Sequence, residues 1–550
     1  MRRLPTGPAR WAGGVVALIA VAAGVAVATA GLGAHPGNAA TATRAADTKT
    51  LVVAVPSDIQ NLDPTLSSAD TPTQELLTNV YDWLIDYKVV TQNGKRIGAP
   101  NQFVGAIAKS FSWNKAHTVL TFHLRKGVKF ANGDPLNAAA VKYTYDRIFE
   151  QNAVTAALTE MAAVKSKSSV TVVNPTTVQF HLTKANTLLF GNMAQFGHSI
   201  LDPKVVKAHA TKADPYAHNW LSSHVDGTAQ GPFVLQSWQP GSQWVMARNP
   251  NYYGVKPKLD QVIFKVIPDA SSRLALLKSG AVDMAYNLPL KDVKKLESDK
   301  DVQIVDNPSR YVVFLGMNSK DKPFDNVKVR QAISYAVPYK TIIQQVLLGY
   351  GRQLTSPIPE GTPTHTGKFF HYTTDIAKAK QLLAQAGYPK GFKTTMYVAS
   401  GVDEGMETAI WVQQSLKQIG INMQIQQLPG ANFTSRLQKH DLPFFFFNNW
   451  VSINNDPFYH LYWLFDSACC DYTNYSNPTV TKTINANLLS RNGPARTAAS
   501  LRVQKTIVND APWVFLYQPD WIVAMRANVH GYVYYPADDF TRFKWMYKTP

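Results

Sequence analysis

The chain has 550 residues, of which 45% are hydrophobic and 17% charged, with a formal charge of +18 and only two cysteines. This is the composition of a globular protein, and the length exceeds what one core usually serves, so two or three lobes are expected. Lys and Arg are scattered without a dense basic tract, which argues against nucleic acid as a partner and favours attraction to anionic lipid or wall polymer.

In chain order, Arg2, Arg3 and Arg10 precede an uncharged run from Ala12 to Leu32, the pattern of an export signal. Cleavage is expected at Ala28-Thr29-Ala30 or Ala40-Thr41-Ala42. The run also approaches the roughly 20 residues that span a bilayer, so retention as a single membrane anchor is the alternative. Either way the folded part is extracytoplasmic, secreted or at the cell surface. Loss of Arg2, Arg3, Arg10 and Arg44, the only charged residues before Asp47, lowers the charge from +18 to +14. Cys469 and Cys470 are adjacent, and a bridge between neighbours is strained because Cα atoms about 3.8 Å apart lie below the usual disulfide range. Two free or partly buried thiols are the expectation, with a redox-labile ring as the alternative.

Residues 33 to 49 read as a tether, and LVVAVPSDIQNLDP then opens the fold with a strand stopped by Pro56. Val119, Thr121 and His123 alternate with Leu120, Phe122 and Leu124, followed by a turn at Asn132-Gly133-Asp134 and a helix. Two strands flank Pro240-Gly241. VIFKVIPDASSRLALLKSGAVDMAYNLP reads as strand, helix and strand, the helix capped by Asp269 or Ser271 and closed by Gly280. From Lys393 to Trp450 the pattern is strand, helix (about Glu407 to Ile419), strand, helix, strand, which favours a mainly parallel sheet with helices packed against it. The run Phe444 to Phe447 suits a strand covered on both faces. Ligands in open α/β sheets collect beyond the carboxyl ends of strands, where Asn448, Asn449 and Trp450 follow.

Several segments together resemble the extracytoplasmic solute-binding proteins of the oligopeptide, dipeptide and nickel class of ABC importers (family 5). They are NLDP (61 to 64), FHLRKGVKFANGDPLNAAAVKYTYDRI (122 to 148), GPFVLQSWQPGSQWVMARNPNYYG (231 to 254), VIPDASSRLALLKSGAVDMA (266 to 285), PFDNVKVRQAISYAV (323 to 337) and AKAKQLLAQAGYPKGF (377 to 392). The resemblance implies an α/β, two-lobed periplasmic-binding-protein-like fold of type II with an extra subdomain, closing over a ligand cleft. It implies a leader and tether (1 to 46), a first lobe (47 to 310, with an inserted subdomain at about 66 to 228), a second lobe (311 to 511) and a return to the first (512 to 550). YVVFLGMN (311 to 318) and PWVFLYQPDWIVAM (512 to 525) are the expected crossovers.

In peptide-binding members of the class, a Trp followed three residues later by an Asp holds the ligand's ammonium group. Trp450 matches the first, but Ile453 stands at the position of the second. A buried ammonium without its partner costs about 2 to 5 kcal/mol, so recognition of a free amino terminus at this position is not expected. Asp456 could substitute, although Asn455-Asp456-Pro457 reads better as a cap. Asp70, beside Ser68 in the early loop SSADTP that resembles a cleft-lining loop of the class, is another acid. Asn448, Asn449, Asn454 and Asn455, with the faces of Trp450 and Tyr459, would suit neutral recognition of sugar rings or blocked peptides. Phe458, Leu461, Tyr462, Leu464 and Phe465 have partly helical spacing and read as a core face. Trp513 and Tyr517, near the return strand, are candidates for pocket or packing roles. The expected ligand contacts are therefore Ser68, Asp70, Asn448, Asn449, Trp450, Ile453, Asn454, Trp513 and Tyr517.

The sequence has no GxSxG, HExxH, GxGxxG or phosphate loop, and its single SxxK (Ser112 to Lys115) lacks a companion KTG. His117 with His123, and His365 with His371, read as loop or strand residues rather than zinc ligands. The expected protein is not an enzyme, holds no cofactor or resident metal, and is a monomer that binds a peptide or other small solute for a membrane ABC permease complex. An oligosaccharide or metal-chelate binder of the same class, and a secreted hydrolase, are the alternatives.

Overall fold

The computed structural model describes residues 48–66, 70–151, 154–448, 450–466 and 470–550; the leader, Ser68, Asn449 and Cys469 lie outside them. Its backbone is one twelve-stranded sheet joined through a single long strand, Trp513–Arg526. The first half of that strand runs antiparallel to Val313–Met317 and the second half antiparallel to Val302–Pro308. Residues 302–317 and 513–526 thus pass side by side, in opposite directions, from one half of the sheet to the other. The run 512 to 525 crosses as expected. The earlier crossing begins at Val302, upstream of the apolar run 311 to 318, because Ile304 and Val305 are only half-buried and the polar Gln303, Asp306 and Asn307 break up the apolar pattern around them.

On one side of this crossing, Thr50–Val55 pairs parallel with Gln261–Val266 and with Met284–Ala285, and the hairpin Phe233–Gln239/Gln243–Arg248 extends the edge. The helix Ala270–Ser279 between them is capped by Asp269, which accepts from Ser272 N at 2.7 Å, and is closed by Gly280 in the left-handed region at φ 75°. On the other side, Lys393–Ala399 runs parallel to Asn422–Leu428 and to Phe444–Phe447. The parallel expectation holds for these three strands, but the sheet as a whole is mixed, because both crossing segments enter it antiparallel. The helix after Lys393–Ala399 spans Asp403–Lys417, starting four residues earlier than its apolar spacing suggested; Asp403 and Glu404 lie in its first turn, where acidic side chains favour the positive helix end.

Residues 312 to 517 supply one large core in which all four rings of Phe444–Phe447 are buried. Burial of each such ring contributes roughly 1.5–3 kcal/mol relative to exposure. A second core fills a four-stranded antiparallel sheet (Ala108–Trp113, Val119–Leu124, Thr177–His181, Val170–Asn174) and the helix Ala138–Gln151. A third lies under Thr50–Val55 and its neighbours. The chain ends meet at this third core. Glu75 and Asn79 of helix Thr71–Val80 hold the C-terminal segment, Glu75 Oε2 accepting from Thr541 N at 3.0 Å and Asn79 Oδ1 from Phe543 N at 3.0 Å.

Two segments that carried the resemblance meet in a buried clasp. Asp63 of NLDP receives both terminal nitrogens of Arg147, one at 2.9 Å, and contacts His218 Nδ1 at 2.9 Å. Burial alone would raise the Asp63 carboxyl, but Arg147 and His218 outweigh it and hold the group below the usual carboxylate range. Cys470 is disulfide-bonded rather than a free thiol, which corrects the expectation for it.

Candidate functional site

The chain leaves Phe444–Phe447 at Asn448, whose Nδ2 donates to Glu404 Oε1 at 2.9 Å. Trp450 follows, its backbone oxygen accepting from Val312 N at 3.1 Å and its half-buried ring packed on the large core. This ties the segment to the crossing strand. Arg310, just upstream on that strand, gives Nη2 to Ser452 O (2.6 Å), Nη1 to Asn455 Oδ1 (2.8 Å) and Nε to Pro536 O (2.8 Å). Ser452 Oγ lies 2.7 Å from His460 Nδ1. Burial and then the charge of Arg310 push His460 down to about 3, so the ring is neutral. Both residues are buried and, among the described residues, no carboxylate accepts from the other ring nitrogen, so the pair is without the orienting acid and the access that an activated serine needs.

The next residues reach across to the second core. Asn454, buried, donates from Nδ2 to Asn192 Oδ1, and a Cβ on Gly191 would overlap its Oδ1. The carbonyl of Ile453 lies 3.5 Å from the Tyr87 hydroxyl, and its half-buried side chain packs on the second core. Asp456 caps helix Pro457–Phe465 by accepting from Phe458 N and Tyr459 N, pairs with Arg496 Nη2 at 2.8 Å, and accepts from Thr187 Oγ1 at 2.7 Å. It is committed as a cap. Phe458, Leu461, Leu464 and Phe465 are core residues as read, Tyr462 packs half-buried against the same core, and Tyr459 is buried against the second core.

The remaining candidates lie apart from this seam. Asp70 caps helix Thr71–Val80, accepting from Thr73 N at 2.9 Å. Trp513 is buried, stacked flat on Phe314 (ring centroids 3.7 Å apart, 6° between planes) and against Phe465. Tyr517 is buried on the return strand, its hydroxyl beside Thr408.

Between the second core and residues 454–457 lies a cavity of about 280 Å³. One wall carries Asn101, Phe103, Trp113, Asn186, Thr187 and Phe190; the other carries Asn454, Asn455, Asp456 and Asn492. Trp113 stacks on His117 with centroids 5.6 Å apart. Of these, sequence reasoning picked out Asn454, Asn455 and Asp456. The opposite wall was missed because its rings come from alternating strands and a short helix that look like ordinary core; the one local signal was a Trp at the end of a hairpin strand. Rings and amides give flat contacts and paired donors and acceptors, a chemistry suited to an uncharged, hydrogen-bonding group.

Residues 102–469 match the model of the bacterial extracellular solute-binding proteins, family 5. The chain belongs to that family. It is 30% identical over 491 residues to the probable D,D-dipeptide-binding periplasmic protein DdpA of Escherichia coli K12, covering 88% of this chain and 92% of that one. Its fold is that of two-lobed binding proteins. The Helicobacter pylori periplasmic binding protein DppA in complex with peptide STSA superposes with a TM-score of 0.77 at 24% identity, over 91% of this chain and 98% of that one. NikA from Brucella suis in complex with Fe(III)-EDTA superposes at 0.78 with 20% identity, over 91% and 100%. The family serves ABC importers as extracytoplasmic, non-catalytic binding proteins. Among the described residues no helix is long and apolar enough to cross a membrane.

Proposed function

We propose that this chain captures an oligopeptide or peptide-like solute outside the cell and delivers it to a membrane ABC permease, as a monomer and without making or breaking a bond. The solute is held between a first lobe (47 to 310, completed by 512 to 550) and a second (311 to 511), with Asn448, Trp450, Ile453 and Asn454 on the wall of the second. The observation that carries this reading is the seam at 453–456. There the segment after a buried strand end is bonded to Tyr87, Thr187 and Asn192 of the other lobe, contacts that exist only when the lobes are together. Closure is then selected by a ligand that touches both sides. The peptide class is supported by the dipeptide named for the Escherichia coli relative and the peptide bound to the Helicobacter pylori protein.

Small-angle scattering of the exported chain with a saturating tripeptide pool tests it. A smaller radius of gyration with ligand is expected, and an unchanged radius at saturation sinks the closure mechanism. The amide-and-ring cavity favours one second reading, an oligosaccharide ligand, which titration with a neutral disaccharide separates from the first.

A further inference from the structure

The cavity between the second core and residues 454–457 measures about 280 Å³, just under the roughly 300–1,000 Å³ of sites that take a small molecule whole, so it suits one part of a ligand. Its walls are the two that are joined by the bonds of Thr187 to Asp456 and of Asn454 to Asn192. Asp456 is the one carboxylate among the described residues that line it, and no Lys or Arg stands with them. That carboxylate is fully engaged. Its Oδ1 accepts from Phe458 N, Tyr459 N and Arg496 Nη2, and its Oδ2 accepts from Thr187 Oγ1. Arg496 spends its other donors on Asn487 O at 3.1 Å and Asn492 Oδ1 at 2.8 Å. An ion entering here gives up water and finds no open counter-charge.

Neutral hydrogen-bonding groups are left over on both walls. On the first, Trp113 is half-buried between His117 and Phe190, with ring centroids 5.6 and 5.8 Å away, and among the described residues its indole N–H has no acceptor. On the second, Asn454 is 3% exposed, and its Oδ1 takes no hydrogen bond from any described residue. One wall therefore offers a donor and the other an acceptor.

We propose that this cavity is a side-chain subsite for the ligand, taking one uncharged residue that both donates and accepts, a carboxamide such as that of glutamine, and turning away lysine and glutamate. This rests on the peptide-like reading of the site. A carboxamide carries an acceptor for Trp113 and donors for Asn454, so it is held best when both walls are in place, which couples the choice of side chain to closure.

The test uses the exported chain and three synthetic tripeptide pools built from Gly, Ala and Leu, with each position in turn filled by Gln, by Glu or by Lys. Apparent affinities are read by native mass spectrometry at about pH 8, above the range in which imidazoles charge. The wild type is expected to hold the Gln pool about 30-fold or more tighter than the Glu and Lys pools. Trp113→Phe, which keeps a ring and removes the N–H, should weaken the Gln pool about 5-fold with the melting temperature near wild type. His117→Asp adds a carboxylate to the lining at a left-handed position (φ 55°) that Asp tolerates, and should tighten the Lys pool about 5-fold.

Equal retention of the three pools by the wild type, a Gln affinity unchanged by Trp113→Phe, or a Lys pool indifferent to His117→Asp overturns the subsite and leaves the peptide reading standing. So does a Trp113→Phe loss shared by all three pools together with a lower melting temperature, which would make Trp113 a packing residue only. Should the wild type hold none of the pools, the peptide reading fails and takes the subsite with it.

Discussion

Two buried polar clusters join distant parts of this chain, and they are built differently. The clasp of Asp63, Arg147 and His218 is ionic and lies within the proposed first lobe. In the proposed seam at 453–456 the bonds to residues 87, 187 and 192 come from a hydroxyl or an amide: Thr187 to Asp456, Asn454 to Asn192, Tyr87 to the Ile453 carbonyl, while the buried Arg310 reaches Ser452 and Asn455 from the crossing segment itself. The charge of Asp456 is settled by Arg496. A joint that must open cannot strand a buried ion on either face each time, because removing the partner of a buried charge costs about 3–5 kcal/mol, whereas a neutral hydrogen bond exchanged for water costs about 1 kcal/mol.

The largest effect expected from this contrast is in the clasp. Asp63→Ala leaves Arg147 buried without its carboxylate and should lower unfolding free energy by about 3–5 kcal/mol in chemical denaturation. A loss below about 1 kcal/mol would mean the clasp is no more permanent than the seam. Gly191→Ala comes next. Its added Cβ meets Asn454 only across the seam, so it should weaken ligand binding through overpacking of about 1–3 kcal/mol while leaving the melting temperature of the unliganded chain near wild type. A large drop in melting temperature with unchanged affinity would show that the contact is permanent. Thr187→Val removes one crossing bond and should cost about 1 kcal/mol of affinity by calorimetric titration, with little change in stability.

The smallest effect is the pH dependence of the clasp. His218 is raised above its ordinary 6.5, chiefly by its hydrogen bond to Asp63, so its contribution is complete below pH 6.5 and is lost as pH rises through the folded value. Asp63 is depressed, so its contribution is present above the ordinary 3.8 and is lost as pH falls through the lower folded value. Melting curves should therefore decline at both ends, and His218→Gln should flatten the alkaline side and also weaken the acid side, since His218 helps depress Asp63.

Much of the fold was legible because its elements announce themselves locally. The Phe444–Phe447 strand, the alternation over Val119–Leu124 and the Asp269 and Gly280 helix ends each follow from a few neighbouring residues. The first crossing segment was only half visible, since its two apolar residues Ile304 and Val305 are hemmed by the polar Gln303, Asp306 and Asn307. The site was legible on one side only. Asn454, Asn455 and Asp456 stand in one readable stretch, but their partners Thr187, Asn192, Asn101 and Trp113 sit among residues with ordinary strand and helix patterns.

By itself the sequence determined the family, the strand and helix order and the capping role of Asp456, because each depends on residue type and near spacing. Only the tertiary structure decided which groups face each other across the seam. Hydrogen-bond satisfaction is a property of neighbours in space, and neither the pairing of Asn454 with Asn192 nor that of Asp456 with Arg496 leaves a mark in the local pattern.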